Sequence, residues 1–382
     1  MDEQFRRLTS TLWPGFLTVD TWTRTTNIQR FVAVPHPHRP TQLLPYGLAS
    51  VRAAAARPSD FRPRLRQWRD ALGVAGLLAV ATVSRSRRFT MQADSGSIVE
   101  HLQENFDRSI TSAIVLFGPS RANQKPVLQL HNRRGQTVAF AKVAWNELTS
   151  QLLLDEHDAL TYLNQVSRPG FCVPKVLDAA SFGEGSYLLL SPVSVSNRVR
   201  ASKQRAMELA MAIERTSPGS VSQGADSPFV DRLLKRSKDL PIAHGIVQNL
   251  TLRHAERDLP LRAWHGDFVP WNFLSGSKTM AVWDWERFDR DVPTGFDRLH
   301  YSFQLASHRD ASSIAPAVVT VRAGLADILP ELDLATAHAH FDWYLAEVLC
   351  RYEHDSVMVN VPNLAERIRA LAATIRDGEG TR

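Results

Sequence analysis

Cysteine is almost missing from this chain: Cys172 and Cys350 are the only two in 382 residues, far apart and without metal-type spacing. That excludes a disulfide scaffold and a cysteine zinc site. It points to a reducing compartment, so a cytoplasmic protein is expected. Long hydrophobic runs are missing too. The longest, ALGVAGLLAVATV (71–83), has 13 residues. This is short of the roughly 20 that span a bilayer, so it reads as a buried helix, and no membrane span is expected. The opening MDEQFRRLTSTLWPG has no apolar stretch of signal-peptide length. Lysine is scarce, seven in the whole chain, and arginine carries the basic charge. The arginines sit among apolar helix positions, with no aromatic–basic ladder, so a solvated basic surface is expected and nucleic acid is not. Residues 1–110 carry a net +6 and residues 111–285 a net +5, whereas residues 286–382 carry −5.

The length predicts two or three domains, and 44% hydrophobic with 22% charged residues is ordinary for a globular protein. Residues 1–108 read as a separate α+β extension of unknown role, with a strand at RFVAVP (30–35) and helices at 47–57, 64–82 and 96–106. From residue 111 the texture changes. TSAIVLFGP, KPVLQLHN and TVAFAKVAW are β-rich runs parted by turn-forming GPSRANQ and NRRGQ, which reads as an antiparallel meander. A helix over 146–166 follows, then strands in RPGFCVPKVLDAA and SYLLLSPV. The expected result for 111–192 is a five-stranded antiparallel sheet with one helix after its third strand. After about 195 the pattern is mostly helical, with Ser/Gly-rich 216–228 as its flexible loop.

The chemistry is concentrated in AWHGDFVPWNFLSG (263–276) and in MAVWDWERFD, where Asp284 lies twelve residues beyond Asn272. Phosphoryl transfer from a nucleotide needs a carboxylate to accept the hydroxyl proton of the acceptor, together with an amide oxygen and a second carboxylate for magnesium. His-Gly-Asp followed by Asn five residues after the Asp puts a base and an amide on one loop. The next hairpin returns a second carboxylate. The same chemistry needs a cation for the phosphates, and AFAKVAW places Lys142 on the third strand. It also needs a helix carboxylate to fix that lysine. Glu156 fits best because Leu160, four residues on, faces the same way; Asp155 and Asp158 compete for the role. The loop FGPSRANQKP has one glycine, Gly118, and could cradle phosphate with backbone N–H groups helped by Ser120.

This order of features resembles the aminoglycoside phosphotransferase and choline kinase-like family, small-molecule relatives of protein kinases, over about residues 110–376. The resemblance implies an α+β, bilobal protein kinase-like fold, with 109–194 as the nucleotide-binding antiparallel-sheet lobe and 195–382 as the helical lobe with the catalytic loop and acceptor site. It implies Asp267 as catalytic base, Asn272 and Asp284 as magnesium ligands, and Lys142, Glu156 and Ser120 at the nucleotide. His265 and Asp297, in FDRLHY, would brace the loop. ATP and Mg²⁺ would be used, and the partner would be a small-molecule hydroxyl acceptor: an aminoglycoside, a sugar or an amino alcohol. The glycine-poor loop, the lack of a lysine after Asp267 and the lack of an Ala-Pro-Glu element separate the chain from protein kinases. Residues 1–108 lie outside the resemblance and leave open a homo-oligomer or a partner held there. The alternative is a nucleotide-binding pseudokinase that acts as a partner-binding module. His300, His308, His338 and His340 read as satisfied histidines. Trp264, Trp271, Trp283 and Trp285 read as packing around the loops, with Trp271 also a candidate for the acceptor site.

Overall fold

The computed structural model describes residues 3–13, 17–18, 28–34, 42–45, 88–92, 96–117, 123–307, 311–358 and 364–377. The chain divides into two units, residues 1–164 with 173–194, and residues 165–172 with 195–382. The helices expected at 47–57 and 64–82 lie outside the described residues.

In the first unit, helix α1 (Glu3–Leu12) and the described strands β1 (Leu17–Thr18), β2 (Ile28–Val34), β3 (Gln42–Pro45) and β4 (Arg88–Gln92) precede α2 (Ile98–Asn105). Ser97 caps α2 in a capping box with Glu100, the Ser-x-x-Glu signature of a helix start. The meander follows as β5 (Ile110–Leu116), β6 (Val127–Asn132) and β7 (Thr137–Ala144). Helix α3 (Glu147–Leu163) comes next, capped by Asn146 with Thr149. The stretch RPGFCVPKVLDAA, expected as one strand, is split. Its β8 (Phe171–Cys172) pairs in the second unit, while β9 (Val176–Phe182) and then β10 (Gly185–Leu190) complete the meander. The five expected strands and their helix are present, but they sit in a nine-stranded antiparallel sheet ordered β1-β4-β2-β3-β5-β6-β7-β10-β9. Pairing of Gln42 with Leu116 and Leu43 with Val115 builds the described strands of residues 1–108 into that sheet and covers an edge that β5 would otherwise present.

Alternation along the strands sets the faces. Val115, Leu128, Ala141 and Leu189 lie abreast and are buried in one core cluster with Trp13, Leu102 and Tyr187. Lys142, one residue on from Ala141, therefore points to the other face, abreast of Val127 and Leu188.

The second unit opens with α4 (Lys203–Glu214), β11 (Ser220–Gln223), α5 (Pro228–Ser237) and α6 (Pro241–Arg253). Four strands follow, β12 (Asp258–Trp264), β13 (Phe273–Ser275), β14 (Met280–Val282) and β15 (Asp289–Pro293). Then come α7 (Phe296–Ala306), α8 (Ile314–Ala323), α9 (Leu334–Met358) and α10 (Leu364–Asp377). The unit is less purely helical than expected, because it also holds two three-stranded sheets, β11-β12-β15 and β13-β14-β8. The loop expected at 216–228 carries β11, which pairs with β12 from Ser220↔Leu261 to Gln223↔Asp258. Buried β12 backbone must find partners, and a polar strand supplies them as well as an apolar one. Helix α9 is buried continuously from Ala339 to Cys350, with Phe341, Trp343, Tyr344 and Leu345 wholly enclosed. It is the centre about which the other helices pack. Among the described residues no helix is long and apolar enough to cross a membrane.

Candidate active site

Strand β12 delivers its last residue, Trp264, to the buried core and releases the chain into His265-Gly266-Asp267. Gly266 has φ +88°, and a Cβ there would stand 2.1 Å from the carbonyl oxygen of Arg287. Both the backbone angle and the space demand glycine. The His265 and Gly266 backbone N–H groups donate to the two oxygens of Asp297, at 2.7 and 3.2 Å, from the first turn of α7. Asp297 is fully buried, and burial pushes its carboxyl up to about 7 against the lowering effect of those two donors. The His265 ring accepts from the Asp267 N–H at Nδ1 (3.2 Å) and therefore carries its proton on Nε2, which donates to the Trp283 carbonyl (2.9 Å). Burial lowers the pKa of His265, in keeping with that neutral ring. From α9, Arg351 donates to the Gly266 carbonyl (2.5 Å) and to Glu347 (2.8 Å), and lies over the Trp264 ring at 4.6 Å. Glu347 also pairs with Arg236 of α5. Burial alone would raise Glu347, but the two guanidiniums take it down to about 2.

Asp267 is partly open, with 38% of its side-chain surface exposed. Asn272 donates through Nδ2 to the Asp267 carbonyl (2.9 Å) and to Oδ2 (3.0 Å). His300 Nε2 lies 3.3 Å from Oδ1. Burial alone would raise the Asp267 carboxyl. The hydrogen bond from His300, with the nearby Arg287 guanidinium, outweighs it and holds the group well below the usual carboxylate range. Burial lowers the His300 imidazole, so at neutral pH Asp267 meets a ring N–H there and not a positive charge. The result is an ionised carboxylate, fixed at both oxygens and open to a reacting hydroxyl.

The β13–β14 hairpin runs from Asn272 to Trp283. Phe273 pairs with Val282, and the Trp283 N–H donates to the Asn272 carbonyl at 3.1 Å. Asp284 follows in a left-handed conformation, φ +72°. Such a φ costs a non-glycine residue roughly 1–2 kcal/mol, and strain of this kind collects at working sites. Because Asn272 spends its amide nitrogen on Asp267, its oxygen Oδ1 is the atom left for a cation. With the Asp284 carboxylate this is the all-oxygen donor chemistry that magnesium takes, so these residues fit the ion. Trp271 departs from the packing role expected of it: it is 61% exposed beside this loop, whereas Trp264 and Trp285 are buried.

In the first unit, Lys142 donates to both oxygens of Glu156, at 2.7 and 2.5 Å. Glu156 is fully buried on the face of α3 that also buries Leu152, Leu153, Leu160 and Leu163. The competitors Asp155 and Asp158 are exposed and bond to Gln151 and His157. Ser120 lies outside the described residues.

The sequence reading missed His300, Tyr344 and Arg351. One signal was available: His300 stands three residues after Asp297 on the same helix, one turn along the face that already serves the loop.

No family model matches the chain, and no curated protein matches it in sequence. Solved structures do. A thermostable mutant of the aminoglycoside phosphotransferase APH(4)-Ia is 14% identical, covers 74% of this chain and 100% of its own, and has a TM-score of 0.50. A protein described as a fructosamine-3-kinase from Haemophilus somnus is 13% identical over 72% of this chain and 96% of its own, TM-score 0.47. The amicoumacin kinase hAmiN is 13% identical over 69% and 88%, TM-score 0.42. The first of these likenesses is one of fold: α+β, with an antiparallel sheet and a helical region, as in kinase-like phosphotransferases.

Proposed function

We propose that this protein transfers the γ-phosphoryl group of ATP to a hydroxyl of a small molecule. The observation that carries the reading is Asp267: an ionised, partly open carboxylate, held at one oxygen by the amide whose other end is left for a cation. Asp267 orients the acceptor hydroxyl and takes its proton as the new O–P bond forms and the bond from the γ-phosphorus to the β–γ bridging oxygen breaks, releasing ADP. Asn272 Oδ1 and Asp284 hold magnesium, which when bound neutralises charge on the phosphates. Lys142, fixed by Glu156, supplies a cation for the phosphates. Exposed Trp271 offers the acceptor an apolar face, suited to a sugar ring or an amino-bearing ring. An aminoglycoside, a sugar or an amino alcohol is the acceptor class, and the work is done in the cytoplasm.

The test is an ATP-consumption screen over those three classes with magnesium present, paired with calorimetric titration of Mg·ATP. Asp267→Asn is expected to lower kcat by about 10²–10⁴-fold while leaving Mg·ATP affinity near wild type. Asp284→Asn weakens both, and Asn272→Ala resembles it. Wild type that binds Mg·ATP but turns over nothing, with Asp267→Asn indistinguishable from it, would establish the pseudokinase alternative instead.

A further inference from the structure

His300 has no place in the scheme above, yet it is one of two side chains that fix the reacting carboxylate. We propose that His300 is a positioning residue: a neutral imidazole, set by the Tyr344 hydroxyl, whose Nε2–H holds Oδ1 of Asp267 while Asn272 holds Oδ2. This rests on the reading of Asp267 as the base.

The direction of each hydrogen bond follows from donor arithmetic. An ionised carboxylate can only accept, so at 3.3 Å His300 must donate through Nε2. A neutral ring then has a bare Nδ1, and the Tyr344 hydroxyl 3.0 Å away must donate to it. Tyr344 is fully buried, and burial keeps its hydroxyl protonated and able to do so. An imidazolium would have to give its second N–H to the Tyr344 oxygen, leaving the buried hydroxyl proton without an acceptor among the described residues, and burial, Arg351 and Arg287 all disfavour one. The chain therefore runs one way, from Tyr344 on α9 through His300 on α7 to Asp267. Helix α7 serves the loop twice on one face, with Asp297 accepting its backbone N–H groups and His300 donating to its carboxylate.

Two consequences follow. Rotation of the Asp267 carboxylate is blocked at both oxygens, so the lone pair offered to the acceptor is fixed before the acceptor arrives. In addition, Nε2 already carries a proton, so the ring cannot relay the one taken from the acceptor hydroxyl. That proton stays on Asp267 and leaves to solvent through its open side.

Side-chain amides test the geometry. In His300→Gln an N–H stands where Nε2 was, in His300→Asn it stands where Nδ1 was, and in His300→Leu there is none. His300→Leu and His300→Asn are expected to lose about 10–100-fold in kcat with Mg·ATP affinity within twofold of wild type. His300→Gln recovers most of that loss. Independently of turnover, ¹⁵N NMR of the full-length chain should show His300 protonated at Nε2 and bare at Nδ1, and Tyr344→Phe should shift the Nδ1 resonance, which loses its donor, while Nε2 stays protonated. An imidazolium or an Nδ1–H ring at neutral pH overturns the inference, as does His300→Asn performing as well as His300→Gln. If His300→Leu fails to fold, the Gln–Asn contrast and the NMR signature still decide. A wild type that transfers to no hydroxyl, water included, overturns the phosphotransfer reading and this inference with it. Turnover by wild type and by folded His300→Leu at equal kcat overturns the inference alone.

Discussion

Lys142 and Glu156 meet through regular secondary structure, a mid-strand residue on β7 and a buried-face residue on α3. Asp267 sits on a loop whose conformation is imposed from outside: by Asp297 and His300 of α7, Arg351 of α9, Asn272 ahead of β13, and the lack of a side chain at Gly266. The first arrangement depends on two charges meeting each other. The second depends on many modest hydrogen bonds between protein groups. A charge that has only to be present can be set by strand and helix periodicity. A group that must be aimed has to be over-determined.

The pair should break more violently than the loop. Lys142→Met leaves the fully buried Glu156 carboxylate without its ammonium, and removing one partner of a buried pair costs about 3–5 kcal/mol of stability. The double variant Lys142→Met/Glu156→Leu is expected to regain most of that stability in urea unfolding, since two apolar side chains replace two buried charges. It should not regain activity, because the proposed reaction still lacks its phosphate cation. Activity returning with stability would make the pair purely structural.

The loop should fail more quietly and more specifically. In Gly266→Ala the new Cβ meets the Arg287 carbonyl and the φ is strained, so the segment carrying Asp267 must shift. A displacement of about 1 Å is worth roughly 10²-fold in rate. Expected is a kcat loss of that order with Mg·ATP binding kept, measured by turnover and calorimetry. A wild-type kcat would show that the loop tolerates movement and that the comparison is wrong.

What could be read from the sequence follows the same division. The meander, α3 and the facing of Glu156 are written in local periods, alternation in the strands and four-residue spacing in the helix. The His-Gly-Asp, Asn and Asp set is legible because its members lie within one loop and one hairpin. β11, a polar strand in a Ser/Gly-rich stretch, was not legible, because it exists only through pairing with β12. Nor was the part of the bracing that His300 and Arg351 supply, since His300 is 33 residues from Asp267, and Arg351 is 85 from Gly266. No local pattern encodes a contact of that span, and His300 passes for an ordinary core histidine until α7 is folded onto the loop.

The buried histidines carry the comparison to its smallest expected effect. His265 and His300, beside the loop, have partners at both ring nitrogens. His131, in mid-sheet on β6, is equally enclosed, yet neither of its ring nitrogens has a partner among the described residues, and the hydroxyl of Ser112 opposite has none either. Burial lowers the His131 pKa from 6.5 to about 4. An unfolded chain therefore binds a proton between those values that the folded chain refuses. Stability from this residue is present above pH 6.5 and is lost as the pH falls towards 4, by up to about 1.4 kcal/mol per pH unit. Buried His340, also lowered to about 4, adds a slope of its own. Replacing His131 by leucine removes no hydrogen bond from the ring and should take away one proton's share of the acid sensitivity. Urea-unfolding free energies at pH 7 and pH 5 read this directly: the wild-type difference should exceed that of His131→Leu by about 2 kcal/mol. Equal differences would mean that His131 finds a partner or water as the sheet breathes, and that the sheet is as well supplied with polar partners as the loop.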